Sequence, residues 1–595
     1  MTGIAGGTVT GDGLDRMVET MAHEEWHEDD RFEPGPFGLG VQHHGERDPG
    51  GHVTWSDGRA AGVLYGAVTN RDAVGLDDDA LFGGLLRRPE RLLRTIDGPF
   101  LLAVVDASDD RLLVATDKIG CRQCYYTTEQ GFLFGSELTA LLAELDDPQV
   151  DPQGVNDLVL TGHQWSDTTL VRDVRSLHPA TLLEYDYGAD AVERSRYWRP
   201  DFSPAPPTEE YFYGLVDRFR AAVDRISSTL TGDVGIWLSG GLDSRATANE
   251  LARNFDDAAF DSLVAYTYDA NPAGGDNPAL ATAVADALAV PIEEVALTPD
   301  RFVPRLEEGI ALVDGMVRWS TFLNLSAVFN VERQPADVVM EGLEGALVGH
   351  HLGRHHLTGC SSLVESMYRS EAAVPADLAR DLLAVDVDPL ASFRREARRT
   401  DASSLAEAAV DAHYQNYYMR GAHASNRVAA GRVGTRVPYA DGEFLEHVAR
   451  LPLAYRMGSV PLTGGEIPFG VVRSKPRLIR ALNSDLAEIR YERSSLPPTY
   501  PFPAHVVGFF ASTALSRLRS QTTYGGKSMA GEWYRHHDGL RGTVNDLLAD
   551  ARGRSLFDGD ALVDLQDAHL AGNADNVGPI AAVTTAESFL QQFVD

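Results

Sequence analysis

Lysine is nearly missing from this chain of 595 residues. Only Lys118, Lys475 and Lys527 occur, so 49 of the 52 basic residues are arginine. Against them stand 87 acids, for a net charge of −35. A surface of that sign repels nucleic-acid phosphates and anionic lipid, so neither is expected as a general partner. Acid in excess with almost no lysine is expected in a salt-rich cytoplasm, where repulsion is screened within a few ångströms. Codon bias toward Arg, Ala, Gly and Asp is the alternative. Scarcity makes each retained lysine informative.

Cysteine is equally scarce. Cys121, Cys124 and Cys360 cannot build a disulfide framework, so a reducing, cytoplasmic setting is the default. Cys121-Arg-Gln-Cys124 has the spacing of a zinc or redox pair, but no second pair accompanies it, and two small residues in a turn are the simpler reading. No apolar run approaches the ~18 residues that span a bilayer. The opening Met-Thr-Gly-Ile-Ala-Gly-Gly lacks a basic segment followed by an apolar one, so secretion is not expected. What is present is ordinary for a folded protein: 44% hydrophobic and 23% charged residues. At roughly 100–200 residues per domain, two to four domains are expected.

Residues 1–200 carry short β-like runs, Gly62–Val68, Phe100–Val105, Arg111–Ala115 and Gly131–Phe134, with polar turns between them. They predict an antiparallel sheet layer with a few helices. Pro200-Asp-Phe-Ser-Pro-Ala-Pro-Pro207 reads as a linker. The pattern then alternates: a helix over 208–230, strand Val234–Leu238, a helix from near Ser244, strand Leu263–Thr267, a helix over 278–289, a run Ile292–Ala296 and strand Ala336–Met340. Such alternation predicts a parallel sheet with helices on both faces, and ligands at the carboxyl ends of its strands. Residues 360–595 read mostly as helix.

Between the first parallel strand and its helix stands Ser239-Gly-Gly-Leu-Asp-Ser244. Gly240 and Gly241 permit tight turning and close approach to phosphate oxygens; amides at the helix start favour anions; Ser239 and Ser244 add donors; Asp243 can hold Mg²⁺ against a pyrophosphate. Neither the Walker order nor the dinucleotide G-x-G-x-x-G order is present. The loop resembles that of the ATP pyrophosphatases, and the chain over about 1–500 resembles class B asparagine synthetases, here with a haloarchaeal-type composition. That resemblance implies an α+β, Ntn-hydrolase-like sandwich over 1–200, related to type 2 glutamine amidotransferases. It also implies an α/β parallel-sheet ATP pyrophosphatase domain (adenine nucleotide α-hydrolase-like) over 208–500. Residues 501–595 are then a helical C-terminal extension with no role assigned.

The family's landmarks fall in order. Ala265-Tyr266-Thr267 occupies the strand whose backbone contacts adenine there. Asp314–Ser320 resembles the segment before its substrate-side helix. Met340-Glu-Gly-Leu-Glu-Gly-Ala-Leu-Val-Gly349 aligns with its G-E-G-x-D-E-x-x-G-G, which makes Glu341 the catalytic glutamate, Gly342 part of the nucleotide site, and Glu344 the replacement for a Mg²⁺-binding aspartate; the next acid is lost to Gly345. Thr435–Asp441 and Ser474–Arg480 resemble R-V-P-F-L-D and K-x-x-L-R, with Lys475 on the lysine that meets phosphate. The resemblance implies ATP and Mg²⁺ as cofactors and a small-molecule or peptidic carboxylate as substrate. Activation gives an acyl-adenylate with release of pyrophosphate, followed by attack of ammonia or an amine. A homodimer is an open alternative to a monomer.

In the first 200 residues the framework matches but the glutaminase chemistry departs. Thr2 stands where the family has its nucleophilic Cys, Tyr65 replaces the oxyanion-hole Asn, and only Gly66 remains of that pair. A hydroxyl attacks an amide less readily than a thiol, and loss of one oxyanion donor costs about 10²–10³ in rate. The expectation is an inactive glutaminase domain kept as scaffold, with a Thr2-dependent synthetase and a non-catalytic nucleotide-binding homologue as alternatives. His350, His351, His355 and His356 have metal-like spacing but no Cys or carboxylate framework, and read as a polar loop at the mouth of the site.

Overall fold

The computed structural model describes residues 3–255, 260–269, 277–331, 336–341, 347–349, 352–463, 465, 467–518 and 528–595. Twelve strands precede the linker: β1 (Gly3–Gly7), β2 (Glu28–Phe32), β3 (Gly38–His43), β4 (His52–Ser56), β5 (Ala60–Gly66), β6 (Phe100–Asp106), β7 (Arg111–Thr116), β8 (Tyr125–Thr127), β9 (Leu133–Gly135), β10 (Arg175–Ser176), β11 (Thr181–Asp186) and β12 (Ala191–Arg196), counted among the described residues. They form two antiparallel sheets, ordered β10-β8-β9-β1-β3-β2 and β12-β11-β7-β6-β5-β4.

The run Phe100–Val105 shows why these strands read as continuously apolar. Leu101, Ala103 and Val105 pack against Ile4, Leu39 and Val41 of the first sheet. Phe100, Leu102 and Val104 turn the other way, into a core with Leu81, Phe82 and Leu85 of the helix Asp78–Arg87. Alternate residues thus bury both faces. Each large side chain so buried contributes about 1.5–3 kcal/mol relative to exposure. The helices Asp12–Thr20 and Leu138–Leu142 pack on the first sheet. The expected α+β sandwich is therefore two facing sheets with helices outside.

After the linker, β13 (Gly232–Trp237), β14 (Phe260–Thr267), β15 (Ile292–Glu294), β16 (Val338–Met340) and β17 (Gly434–Arg436) form a parallel sheet ordered β15-β14-β13-β16-β17. The chain runs outward from β13 through β14 to β15, then returns to the other side of β13 for β16 and β17. The switch point therefore lies between β13 and β16, where open α/β sheets bind ligands at the carboxyl ends.

Strand β17 is absent from the sequence expectation. Its three residues, Gly434, Thr435 and Arg436, carry no hydrophobic signal, yet all are buried. Their polar groups are satisfied by the N-terminal domain: Arg436 Nη2 donates to Asp48 Oδ1 at 2.8 Å, and Thr435 receives Arg122.

Residues 501–595 are mostly helical among the described residues, and they are not merely appended. The last helix, Val577–Phe593, is buried along Val577–Leu590 apart from Gly578 and packs on Pro152–Thr161 of the N-terminal domain, on Leu306–Leu312 and on Trp319–Phe322. Trp319 donates from its backbone N to Thr585 (2.9 Å) and from Nε1 to Thr584 (3.0 Å). No helix among the described residues is long and apolar enough to cross a membrane.

Candidate functional site

The loop after β13 is held from three sides. Ser239 N donates to Ser244 Oγ at 3.1 Å, the two hydroxyl oxygens are 3.0 Å apart, and Gly241 N donates to Ser239 Oγ at 3.2 Å. Asn277, at the start of the helix Asn277–Ala287, accepts from Gly240 N at 2.7 Å and donates to Tyr268 O at 2.9 Å, tying the loop to the end of β14. Arg245 is fully buried and donates to the carbonyls of Gly240, Leu486, Ile489 and Arg490. A buried guanidinium fanned over four carbonyls fixes backbone at low entropic cost. Neither Gly240 nor Gly241 takes a left-handed conformation, so space decides the first of them: a Cβ on Gly240 would lie 3.0 Å from Leu280 Cδ1.

Lys475, on the helix Ser474–Leu482, reaches this loop. Its Nζ lies 2.6 Å from Asp243 Oδ2; the lysine is buried, while about a third of the Asp243 side chain is exposed. Burial pulls the ammonium pKa down and Asp243 partly restores it. Of the other lysines, Lys118 is a buried ion-pair partner of Asp97, whose Oδ1 also accepts from Gly442 N at 3.0 Å across the domain boundary. Lys527 lies outside the described residues.

Across the switch point, Glu341 follows β16. It is buried, its N donates to Arg436 O at 2.9 Å, and Asn426 Nδ2 donates to its Oε2. Burial raises its carboxyl pKa to about 7, against the opposing pull of Arg122, Asn426 and Thr435. A carboxyl poised there accepts a proton near neutrality. Asn426 stands on Ala424–Ala430, which continues from Leu405–Asn416 through a π-helical turn, Tyr417–His423. Such turns are frequent at functional sites.

The remaining expected contacts are placed as follows. On β14, Ala265 N donates to Pro291 O, Tyr266 O accepts from Leu238 N and Thr267 O from Val295 N, so these groups belong to the sheet. The Thr267 hydroxyl is buried without a hydrogen-bond partner among the described residues. Gly342, Glu344 and Gly345 lie outside the described residues, as do Thr2, His350 and His351. His355 and His356 sit on the short helix Arg354–Leu357 with their rings 3.8 Å apart.

The most informative residue missed in the sequence is Arg122, between the two cysteines that drew attention to the segment. It is buried and crosses from the N-terminal domain to β17: Nη1 donates to Thr435 Oγ1 (2.9 Å) and Nη2 to Thr435 O (2.6 Å). Its guanidinium lies 4.7 Å from the ring centroid of Tyr65. So Tyr65 packs against a cation whose charge lowers the Glu341 carboxyl pKa. Gln123 also crosses, donating to Met419 O at 2.9 Å. Cys121 and Cys124 are buried and form no disulfide among the described residues, and burial pushes the Cys124 pKa up, away from thiolate chemistry.

Gly66 is a glycine by necessity, with φ +100° and the space of a Cβ filled by Pro99 O at 2.1 Å. Its N–H donates to Gly51 O at 2.7 Å, so the amide that the resemblance would make an oxyanion donor is engaged. One group has metal-like spacing among the described residues, Asp30, His43 and His52, with donor atoms within 4.8 Å of one another. His43 Nδ1 accepts from Gly45 N at 3.1 Å, which puts the proton of the neutral ring on Nε2, facing Asp30 at 3.6 Å. That tautomer pairs with the carboxylate and has no lone pair for an ion on that side.

Comparison with known proteins fits this geometry. Residues 79–198 match the family model described as a glutamine amidotransferase domain, and residues 214–466 the model described as asparagine synthase. An amidotransferase-like stretch thus precedes an asparagine-synthase-like one, and over these stretches the chain is similar to asparagine synthetases. It is 29% identical over 199 residues to asparagine synthetase [glutamine-hydrolyzing] 3 of Bacillus subtilis (strain 168), covering 32% of each chain. It is 25% identical over 229 residues to amidase chry2 of Gibberella zeae, covering 36% of this chain and 33% of that one. The chain thus spans about a third of the length of these curated relatives. Among solved structures, glutamine phosphoribosylpyrophosphate amidotransferase from B. subtilis, complexed with ADP and GMP, overlays with a TM-score of 0.24 at 8% identity, over 50% of this chain and 91% of that one.

Proposed function

We propose that this protein is an ATP-dependent ligase that activates a carboxylate as an acyl-adenylate, releases pyrophosphate, and passes the acyl group to ammonia or an amine. The observation that carries the reading is the convergence, at one sheet switch point, of the Ser239–Ser244 loop with its Lys475–Asp243 pair and of the buried Glu341. In the first half-reaction an oxygen of the substrate acid attacks the α-phosphorus and the bond to pyrophosphate breaks. Charge grows on the leaving group. Amides at the uncapped start of the helix Asp243–Asn254, the two serine hydroxyls and Lys475 supply positive ends for it, which is worth more in a water-poor cleft than in solution. In the second, the amine nitrogen attacks the acyl carbon, AMP leaves, and Glu341 takes the nitrogen's proton.

Mg²⁺ fits the donor set: Asp243 offers a partly exposed carboxylate beside the loop, and this ion is commonly held by one or two carboxylates plus substrate phosphates. Asp243, with Glu344 by alignment, would hold it, and it would neutralise phosphate charge that the −35 net charge otherwise opposes. The N-terminal domain is read as a scaffold without glutaminase activity, because Tyr65 is packed against Arg122 and the Gly66 amide is engaged. The test is pyrophosphate release from ATP with Mg²⁺, candidate acids and ammonium at high salt. Acid-dependent release that is lost in Asp243→Ala supports the ligase. Release by no acid, with Asp243→Ala equal to wild type, rejects it in favour of a nucleotide-binding homologue.

A further inference from the structure

A cavity of about 660 Å³ lies among the segment Arg318–Asn324, residues 373–378, Ser528–Ala530 and the start of the helix Val577–Phe593. None of the candidate ligase residues lines it, and two of its walls fall beyond the asparagine synthase match at 214–466.

Arg318 is the cation in this cavity, and the backbone is shaped around it. Its N donates to Gly162 O at 3.1 Å. Its guanidinium lies between two glycines: a Cβ on Gly162 would stand 3.0 Å from Cζ and Nε, and one on Gly578 2.7 Å from Nη1. A guanidinium carries five donors. Here it makes no hydrogen bond or ion pair among the described residues, and its Nε is closed to solvent. Burial lowers its pKa with no acid to offset the loss. In a chain with 87 acids this isolation is unusual. The acid in the cavity wall, Asp575, is committed elsewhere: Oδ1 lies 3.6 Å from Arg535 and 3.5 Å from His569, and Oδ2 accepts from Ser528 N at 3.2 Å.

The second positive element is the amino end of Val577–Phe593, a helix of 17 residues. Asn576 makes no side-chain cap there, donating instead from Nδ2 to Leu565 O at 3.0 Å, and the first turn holds no acid. The amides of Val577 and Gly578 have no intrahelical acceptor. A dipole end and an unpaired cation of the same sign, side by side at a cavity, repel each other unless an anion lies between them.

We propose that this cavity binds a small molecule carrying a carboxylate or a phosphate, with Arg318 and the amino end of helix Val577–Phe593 as its anion contacts. The forked guanidinium suits the paired oxygens of either group. The volume suits a metabolite more than a bare ion. The site stands whether or not the ligase reading does, and it gives a role to residues beyond 500.

The test uses the full chain in a constant potassium chloride background, titrated with inorganic phosphate and, separately, with succinate, by calorimetry and thermal unfolding. Wild type should bind at least one probe saturably and melt higher with it; which one responds distinguishes phosphate from carboxylate ligands. Arg318→Gln should weaken binding at least about tenfold, yet without probe melt no lower than wild type, because it removes an unpaired cation. A purely structural arginine would give the opposite stability change. Gly578→Ala, which drives a methyl into the guanidinium, should also weaken binding. Asp243→Asn should keep the response, which separates this site from the nucleotide loop. Wild type insensitive to both probes at roughly 20 mM, well above a millimolar Kd, overturns the proposal, as does Arg318→Gln with wild-type binding. If Arg318→Gln does not fold, Arg318→Lys decides: it keeps the charge and loses the fork, and unchanged binding with it overturns the proposal equally.

Discussion

Replacing Glu341 by glutamine should destroy activity and stabilise the protein, and the stabilisation should depend on pH. Burial raises the Glu341 carboxyl from its ordinary 4.5 to about 7, even with Arg122, Asn426 and Thr435 pulling it down. Between those two values the folded state holds a proton that the unfolded state has lost, so stability falls as pH rises through this window. The loss is complete above about pH 7. A shift of about 2.5 units at 1.36 kcal/mol per unit corresponds to about 3 kcal/mol. Glutamine never ionises, fits the same volume and can still accept from Asn426. Glu341→Gln and wild type should therefore melt together near pH 4.5. They should separate progressively to pH 7, and hold a constant gap of a few degrees at pH 8. The amide-forming step of the variant should fall by about 10²–10⁴, the usual worth of a positioned general base. Thermal unfolding of both proteins in the same salt across that range decides it. A gap independent of pH, or a variant less stable at pH 8, would refute the assignment of Glu341 as a desolvated carboxyl.

Three further outcomes are expected. Arg122→Met removes the cation that opposes the Glu341 shift, so the acid limb of the pH–rate profile of ammonium-dependent synthesis should move up by about one unit; an unmoved limb would mean that the two groups do not communicate. Lys475→Met should cut pyrophosphate release by about 10² or more. Combined with Asp243→Asn it should cost less than the sum of the two singles, because they form one pair; strict additivity in a double-mutant cycle would break that pairing. Thr2→Ala should leave ammonium-dependent activity unchanged, and glutamine should not replace ammonium in wild type, as measured by glutamate release.

The legible part of the fold was the part in which hydrophobic period and local turn chemistry agree. The alternation from 208 to 340 gave four of the five parallel strands near their observed places, and SGGLDS marked the loop between β13 and its helix. The fifth strand, Gly434–Arg436, has no apolar period because partners in another domain satisfy its polar groups. The same physics hid Arg122 and Asn426. Each acts through one contact more than 80 residues away in sequence, and nothing near either residue announces it. Lys475 was marked twice, by the K-x-x-L-R resemblance and by the rarity of lysine. Lys118 was equally rare and is structural, so scarcity picks out positions worth inspecting without assigning them a chemistry.

The N-terminal domain is welded to the rest of the chain by buried polar contacts. Arg122 and Asp48 satisfy Thr435 and Arg436, the residues of the strand beside β16, from which Glu341 emerges. A second weld lies close by: Arg427, on the helix that carries Asn426, is paired with Asp314 and donates to Tyr125 at 3.2 Å. Removing the domain would leave Arg436 without Asp48, and breaking one partner of a buried pair costs about 3–5 kcal/mol; the Arg427–Asp314 pair would stay but lose its contact with Tyr125. The strand and helix that fix the two sides of Glu341 would both loosen. On this account a chain lacking residues 1–200 should be unstable and inactive even with ammonium supplied. A lost ammonia supply alone would instead leave a folded enzyme that ammonium rescues. Soluble expression of residues 208–595 with ammonium-dependent activity near that of the full chain would show that the domain is dispensable and that this interface does not support the site.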